Sequence, residues 1–168
     1  IDGLGVVLHR YGAGSDIARG QVDRHLDAHD IEIFTGGAVL LSDAFLRAVD
    51  GFDERYFLYY EDVDLALRGS EGGWRYRCAP DSVVSHVGGA TTSQLGERVV
   101  FLRERNRLWC AARFASGSTI RAAVWLSVRR VRHTPRRAHV RALLAGCIGG
   151  VGRLVERRAA RRVATGVR

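Results

Sequence analysis

The 168 residues are 46% hydrophobic and 26% charged, which excludes a disordered or collagen-like chain and is enough for one domain with a real core. All 26 basic residues counted in the net charge of +8 are Arg, and there is no Met. That charge is unevenly divided: residues 1–97 carry 8 Arg against 16 Asp and Glu (−8), whereas residues 98–168 carry 18 Arg against 2 Glu (+16). In chain order, Val6, Val7 and Leu8 suggest a short strand, and Tyr11 to Gly20 reads as a Gly-rich loop. Residues 38–41 read as a buried strand, with Gly36-Gly37 marking a close backbone approach. Ser42 or Asp43 caps a short helix that ends at Asp50-Gly51. After the aromatic cluster Phe52, Tyr56, Phe57, Tyr59 and Tyr60, residues 61–68 form a helix with acids in its first turn, stopped by Gly69 and Gly72-Gly73. Residues 74–78 and 83–86 read as strands joined by a turn at Ala79-Pro80-Asp81.

From Arg98 onward the texture is helical. Ile120, Val124, Val128 and Val131 fall at helical spacing, and Thr134-Pro135 breaks the pattern. A further helix over residues 140–155 aligns Gly146, Gly149 and Gly150 on one small-residue face. The expected organisation is therefore an α/β part, 1–97, followed by an Arg-rich helical extension, 98–168. The longest apolar run, residues 142–152, falls short of the roughly 20 residues a spanning helix needs. Three cysteines at 78, 110 and 147 form no CxxC pair, and their odd number points to a reducing compartment. No basic-then-apolar leader is present, so the expected location is cytoplasmic.

The chemistry concentrates between Asp53 and Asp64, where Asp53, Glu54, Glu61, Asp62 and Asp64 are interleaved with aromatic residues. Carboxylates crowded together and partly desolvated by rings have raised pKa values, the condition for a general base near neutral pH. The competing reading is a capped helix with solvated acids. The pattern lacks the alternating ligands and central Gly of an EF-hand. His25 and His29 have i, i+4 spacing, but the acid between them is the middle residue, Asp27, where a zincin helix needs Glu next to the first His, so a zinc site is not expected there.

Taken in order, Gly36-Gly37-Ala38-Val39-Leu40-Leu41, Gly51-Phe52-Asp53-Glu54, and Phe57-Leu58-Tyr59-Tyr60-Glu61-Asp62-Val63-Asp64-Leu65 resemble the second half of a family 2 glycosyltransferase. Arg68, Gly73-Trp74, Pro80-Asp81, Val83, His86 and Arg105-Asn106 continue the likeness, which covers residues 34–110. The nearest subgroup makes bacterial cell-envelope polysaccharide, as the rhamnosyl- and galactofuranosyltransferases do. The resemblance implies the C-terminal half of a GT-A fold and inverting transfer from a nucleotide-diphosphate sugar to a glycan or lipid-linked acceptor. It makes Asp62 the base for the acceptor hydroxyl and Glu61 its orienting neighbour. It also implies a divalent metal, Mg or Mn, with His86, 24 residues past Asp62, as one ligand. A structural histidine is the alternative at that position.

Further substrate contacts are expected at Gly36 and Gly37, where side chains would meet a sugar, and at Trp74, as a stacking face or as core. The resemblance also implies that Arg105 and Asn106 lie over the donor diphosphate, which suits bidentate Arg, the alternative being a solvated basic face. The family's nucleotide-binding strands are not found in this sequence, and no Asp-x-Asp occurs apart from Asp62-Val63-Asp64, which lies in the acceptor half, so the chain is expected to be a fragment or to have a misplaced start, and to be inactive alone. The Arg-rich helices suit an anionic membrane surface, which would make the protein peripheral at the cytoplasmic face of the membrane. The alternative, a basic module that binds nucleic acid or another anionic surface without catalysis, rests on charge alone, with no nucleic-acid-binding motif in support. No nucleic-acid partner is therefore expected.

Overall fold

The computed structural model describes residues 1, 3–22, 27–85, 92–134 and 136–164, with backbone alone at 92, 93 and 161–164. It is a mixed α/β chain in two compact units, one of Ile1–His9 with Gly14–Ala90, the other of Arg10–Ala13 with Thr91–Arg168.

In the first unit, β1 (Val6–Leu8) pairs antiparallel with β2 (Gly14–Asp16), and β3 (His29–Ile31) with β4 (Tyr76–Cys78). The Val6 N–H donates to the Ile33 carbonyl at 2.8 Å, linking the two ribbons. Two helices follow the pattern of the sequence. α1 (Asp43–Val49) starts where Ser42 Oγ accepts the Phe45 N–H at 3.1 Å, and it ends at Asp50 in the left-handed conformation. α2 (Glu61–Glu71) carries Glu61, Asp62 and Asp64 in its first turn.

α2 continues through Gly69 and stops at Gly72. A Cβ at position 69 would run into Tyr76 and Phe45, so that glycine is a packing requirement and not a stop signal. The core that holds α2 is aromatic: Phe34 and Phe45 meet Tyr76 edge-on at 4.9 and 5.9 Å. The Tyr76 hydroxyl donates to the Ala66 carbonyl at 2.6 Å. Asp64, fully buried, pairs with Arg68 at 2.7 Å. Arg68 also donates to the carbonyls of Val49 and Gly51, which fixes the end of α1 to α2.

Three expectations are corrected here. Residues 38–41 form no strand: Leu40 is 99% exposed, and the buried pair is Ile33 and Phe34, just ahead of the glycines. Residues 83–85 form no strand either, with Val83 and Val84 exposed, and β4 takes β3 as its partner in place of a hairpin. The Gly-rich stretch read as a loop contains β2. In each case an apolar or glycine-rich run was read locally, whereas the pairing was decided by segments distant in sequence.

The second unit is built from α3 (Glu97–Phe114), α4 (Gly117–His133) and α5 (Arg137–Ala164), after a 3-10 turn at Thr92–Leu95. Gly146 and Gly149 let α5 lie directly against Leu108 and Trp109 of α3, where any Cβ would collide. Arg107 of α3 is buried and donates to Glu104 at 3.0 Å, to Ser127 Oγ at 2.5 Å and to the Ala123 carbonyl at 3.2 Å, tying α3 to α4. The apolar run at 142–152 sits inside a helix of 28 residues. By length and composition alone, residues 137–160 of that helix are long and apolar enough to cross a membrane.

Candidate active site

The N-terminus of α2 and the loop before it enclose a cavity of about 580 Å³ lined by Gly36, Phe52, Asp53, Glu54, Phe57, Glu61 and Asp62. Four of these seven residues are acids and two carry aromatic rings. The rings are also open, Phe52 at 47% and Phe57 at 63% exposure, so they offer flat apolar faces beside the carboxyl groups.

Asp62 is fixed from both sides. Its Oδ2 accepts the Gly36 N–H at 2.8 Å and its Oδ1 accepts the Val63 N–H at 2.8 Å. Gly36 approaches so closely that a Cβ there would stand 3.2 Å from the Asp62 Cβ. The glycine is thus a partner of the acid, and its bare backbone positions the carboxyl group. Gly37 differs, because a Cβ on it would meet only Thr35 Oγ1, at 3.8 Å.

Glu61 is in the opposite situation. Its Oε2 is buried with no hydrogen-bond partner among the described residues. Burial pushes its pKa up from 4.5 to about 7, its own backbone N–H partly offsets this, and the neighbouring Asp62 charge raises it further. Two adjacent carboxyl groups therefore differ in kind: one is anchored by amides, the other exchanges a proton near neutrality. Asp53 is neutralised by Arg55, whose Nε and Nη2 each donate to it at 2.8 Å.

The loop before α2 is conformationally costly. Phe57, Tyr59 and Tyr60 all have positive φ, at 65°, 65° and 69°, which non-glycine residues rarely adopt. Such strain collects at functional sites, because only tertiary contacts sustain it. One such contact is the Gly14 N–H, which donates to the Tyr60 hydroxyl at 3.1 Å. Nothing in the sequence announced these conformations, since no glycine marks them.

The structure brings together Gly36, Glu61 and Asp62, and it adds Phe52 and Phe57. It separates Trp74, which lines a second cavity of about 390 Å³ with Asp30, Ile31 and Tyr76 and meets Phe45 edge-on at 5.5 Å. Arg105 and Asn106 belong to α3, in the other unit. Asn106 is completely buried, and Arg105 donates to it at 2.8 Å while lying 4.2 Å over the Trp109 ring. In this arrangement the pair serves the packing of α3 and not an open surface. His86 lies outside the described residues. Among the described residues no three His, Cys, Asp or Glu side chains converge as metal ligands.

No family model and no solved structure matches the chain. Two curated proteins do, the N-acetylglucosaminyl-diphospho-decaprenol L-rhamnosyltransferases of Mycobacterium tuberculosis strains CDC 1551 / Oshkosh and ATCC 25618 / H37Rv. Each is 34% identical over 87 residues, which cover 46% of this chain and 28% of the relative. The similarity supports a relationship to glycosyltransferases and is confined to less than a third of each relative's length.

Proposed function

We propose that the chain carries the acceptor-activating side of an inverting, family 2 glycosyltransferase of GT-A type, in its C-terminal half. The donor would be a nucleotide-diphosphate sugar and the acceptor a hydroxyl of a lipid-linked glycan, in cell-envelope polysaccharide synthesis. The observation that carries this reading is Asp62, held by the Gly36 amide in an acid- and aromatic-lined cavity. Similarity to a transferase named for a lipid-diphosphate-linked N-acetylglucosamine acceptor supports it.

In this mechanism the acceptor sugar lies against the exposed rings of Phe52 and Phe57. Asp62 takes the proton of the acceptor hydroxyl as its oxygen attacks the anomeric carbon. The bond from that carbon to the diphosphate oxygen breaks, its electron pair leaves with the nucleoside diphosphate, and the configuration inverts. A free sugar hydroxyl is a poor nucleophile, so a base positioned for the transition state supplies most where it is most needed. Glu61, protonated in a large fraction of molecules near pH 7, orients the same hydroxyl by hydrogen bonding.

Titration of the ¹⁵N-labelled chain with a short-chain polyprenyl-diphospho-N-acetylglucosamine tests the acceptor assignment. Amide shifts are expected at Gly36 and across residues 52–62. A spectrum left unchanged there at millimolar acceptor contradicts it.

A further inference from the structure

We propose that α5 is a membrane-docking surface: Val140, Leu144, Ile148, Val151 and Val155 insert into an anionic lipid surface, with the helix lying in the membrane plane and arginines at both ends meeting the headgroups. These five side chains are spaced 4, 4, 3 and 4 residues apart, which places them on one helix face. All are exposed, from 42% at Val140 to 75% at Ile148. At 1.5 Å per residue the stripe runs about 22 Å, too continuous for scattered surface apolar residues.

The opposite face of the helix is already occupied. Ala138, Ala142, Gly146, Gly150 and Arg153 are buried, and Gly146 and Gly149 fit against Leu108 and Trp109. Arg153 belongs to this inner face, 4.9 Å over the Trp109 ring, and pairs with Glu156 at 3.2 Å. Exposed arginines stand at the ends, Arg136 and Arg137 before the stripe and Arg158 after it, with Arg141 on its flank.

Charge selects the occupant. The same spacing would suit a second copy of the helix, but residues 98–168 carry +16, and two copies side by side would bring like charges together. An anionic bilayer brings the opposite sign. Crossing the bilayer is disfavoured by what lies behind the stripe. α3, packed on the other face, carries Arg103, Glu104, Arg105, Arg107 and Arg113, and a spanning α5 would draw these into hydrocarbon. Trp125 of α4, 53% exposed with Arg129 over its ring at 5.5 Å, is the aromatic–basic combination favoured at lipid interfaces.

The test uses the 168-residue chain without any sugar, so its outcome is independent of the transferase reading. Sedimentation with vesicles of phosphatidylcholine, alone or mixed with phosphatidylglycerol, is expected to show at least about tenfold tighter binding to the anionic set. The double substitution Leu144→Ser, Ile148→Ser, checked for native helicity by circular dichroism, should weaken that binding about tenfold or more. A polarity-sensitive dye on the exposed Cys147, with Cys78→Ser to confine the label, should shift to the blue on anionic vesicles and be reached by quenchers placed shallowly in the bilayer. The proposal is overturned by binding to neither vesicle, by equal binding to both, or by a double variant that binds like the parent. A stable dimer in light scattering that the same substitutions dissociate would assign the stripe to a second copy and overturn it equally.

Discussion

Glu61 and Asp62 are consecutive residues with different surroundings, and the difference is the main chemical feature of the site. Asp62 has both oxygens on backbone amides, whereas Glu61 keeps a buried oxygen with no partner among the described residues. This has a consequence for stability. Glu61 titrates at about 7 in the folded chain against 4.5 for an ordinary glutamate, so between those values the folded state holds a proton that the unfolded state has released. Its contribution is complete below about pH 4.5 and is lost as pH rises through 7. Glu61→Gln cannot lose a proton, so the melting temperature of the parent relative to this variant should decline from pH 4.5 to 7, followed by circular dichroism. Parallel curves would contradict the burial of Glu61. The acid pair was legible in the sequence because its spacing and aromatic neighbours are local. The Gly36 amide, 26 residues away, and the left-handed backbone of Phe57, Tyr59 and Tyr60 were not, because both depend on tertiary contacts. Trp74, open in the sequence to a stacking or a core reading, meets Phe45 edge-on, and Asn106, which the family likeness puts over the donor, is buried within α3.

Among the elements, those with capping and periodicity signals were readable. Ser42 starts α1 as expected, and the three glycines of α5 form the face applied to α3. The apolar residues 38–41 misled because hydrophobicity alone does not specify what covers a segment, and Leu40 is almost fully exposed. α2 owes its position to the buried Asp64–Arg68 pair and to Arg68 contacts with the end of α1. Arg68→Ala would remove the ion-pair partner of a buried carboxylate, and a loss of about 3 kcal/mol is expected in urea unfolding. A change below about 1 kcal/mol would show that the pair does not organise the helix. In the second unit, Gly149→Val places methyl groups where Trp109 already stands, and about 2 kcal/mol of destabilisation is expected. Unchanged thermal unfolding would mean that α5 does not pack on α3 through this face.

For the whole molecule, the net charge of +8 is the average of two unlike parts. The acidic part, residues 1–97, contains the cavity and its carboxyl groups, and the basic part, residues 98–168, contains the helices whose outward stripe awaits a surface. Such a division suits a protein that handles an acceptor anchored in lipid, with the chemistry in one part and the attachment in the other. The uniform use of Arg extends across both, so it does not distinguish them. The central claim is that Asp62 is the base of a sugar transfer. It is tested most directly by the rate of transfer from a nucleoside-diphosphate rhamnose to a lipid-diphosphate N-acetylglucosamine, measured in the catalytically competent polypeptide that carries these residues and in its Asp62→Asn variant. We expect kcat to fall by about 10²–10⁴ while acceptor binding stays within a few fold. An Asp62→Asn protein that turns over at the parent rate would contradict the account.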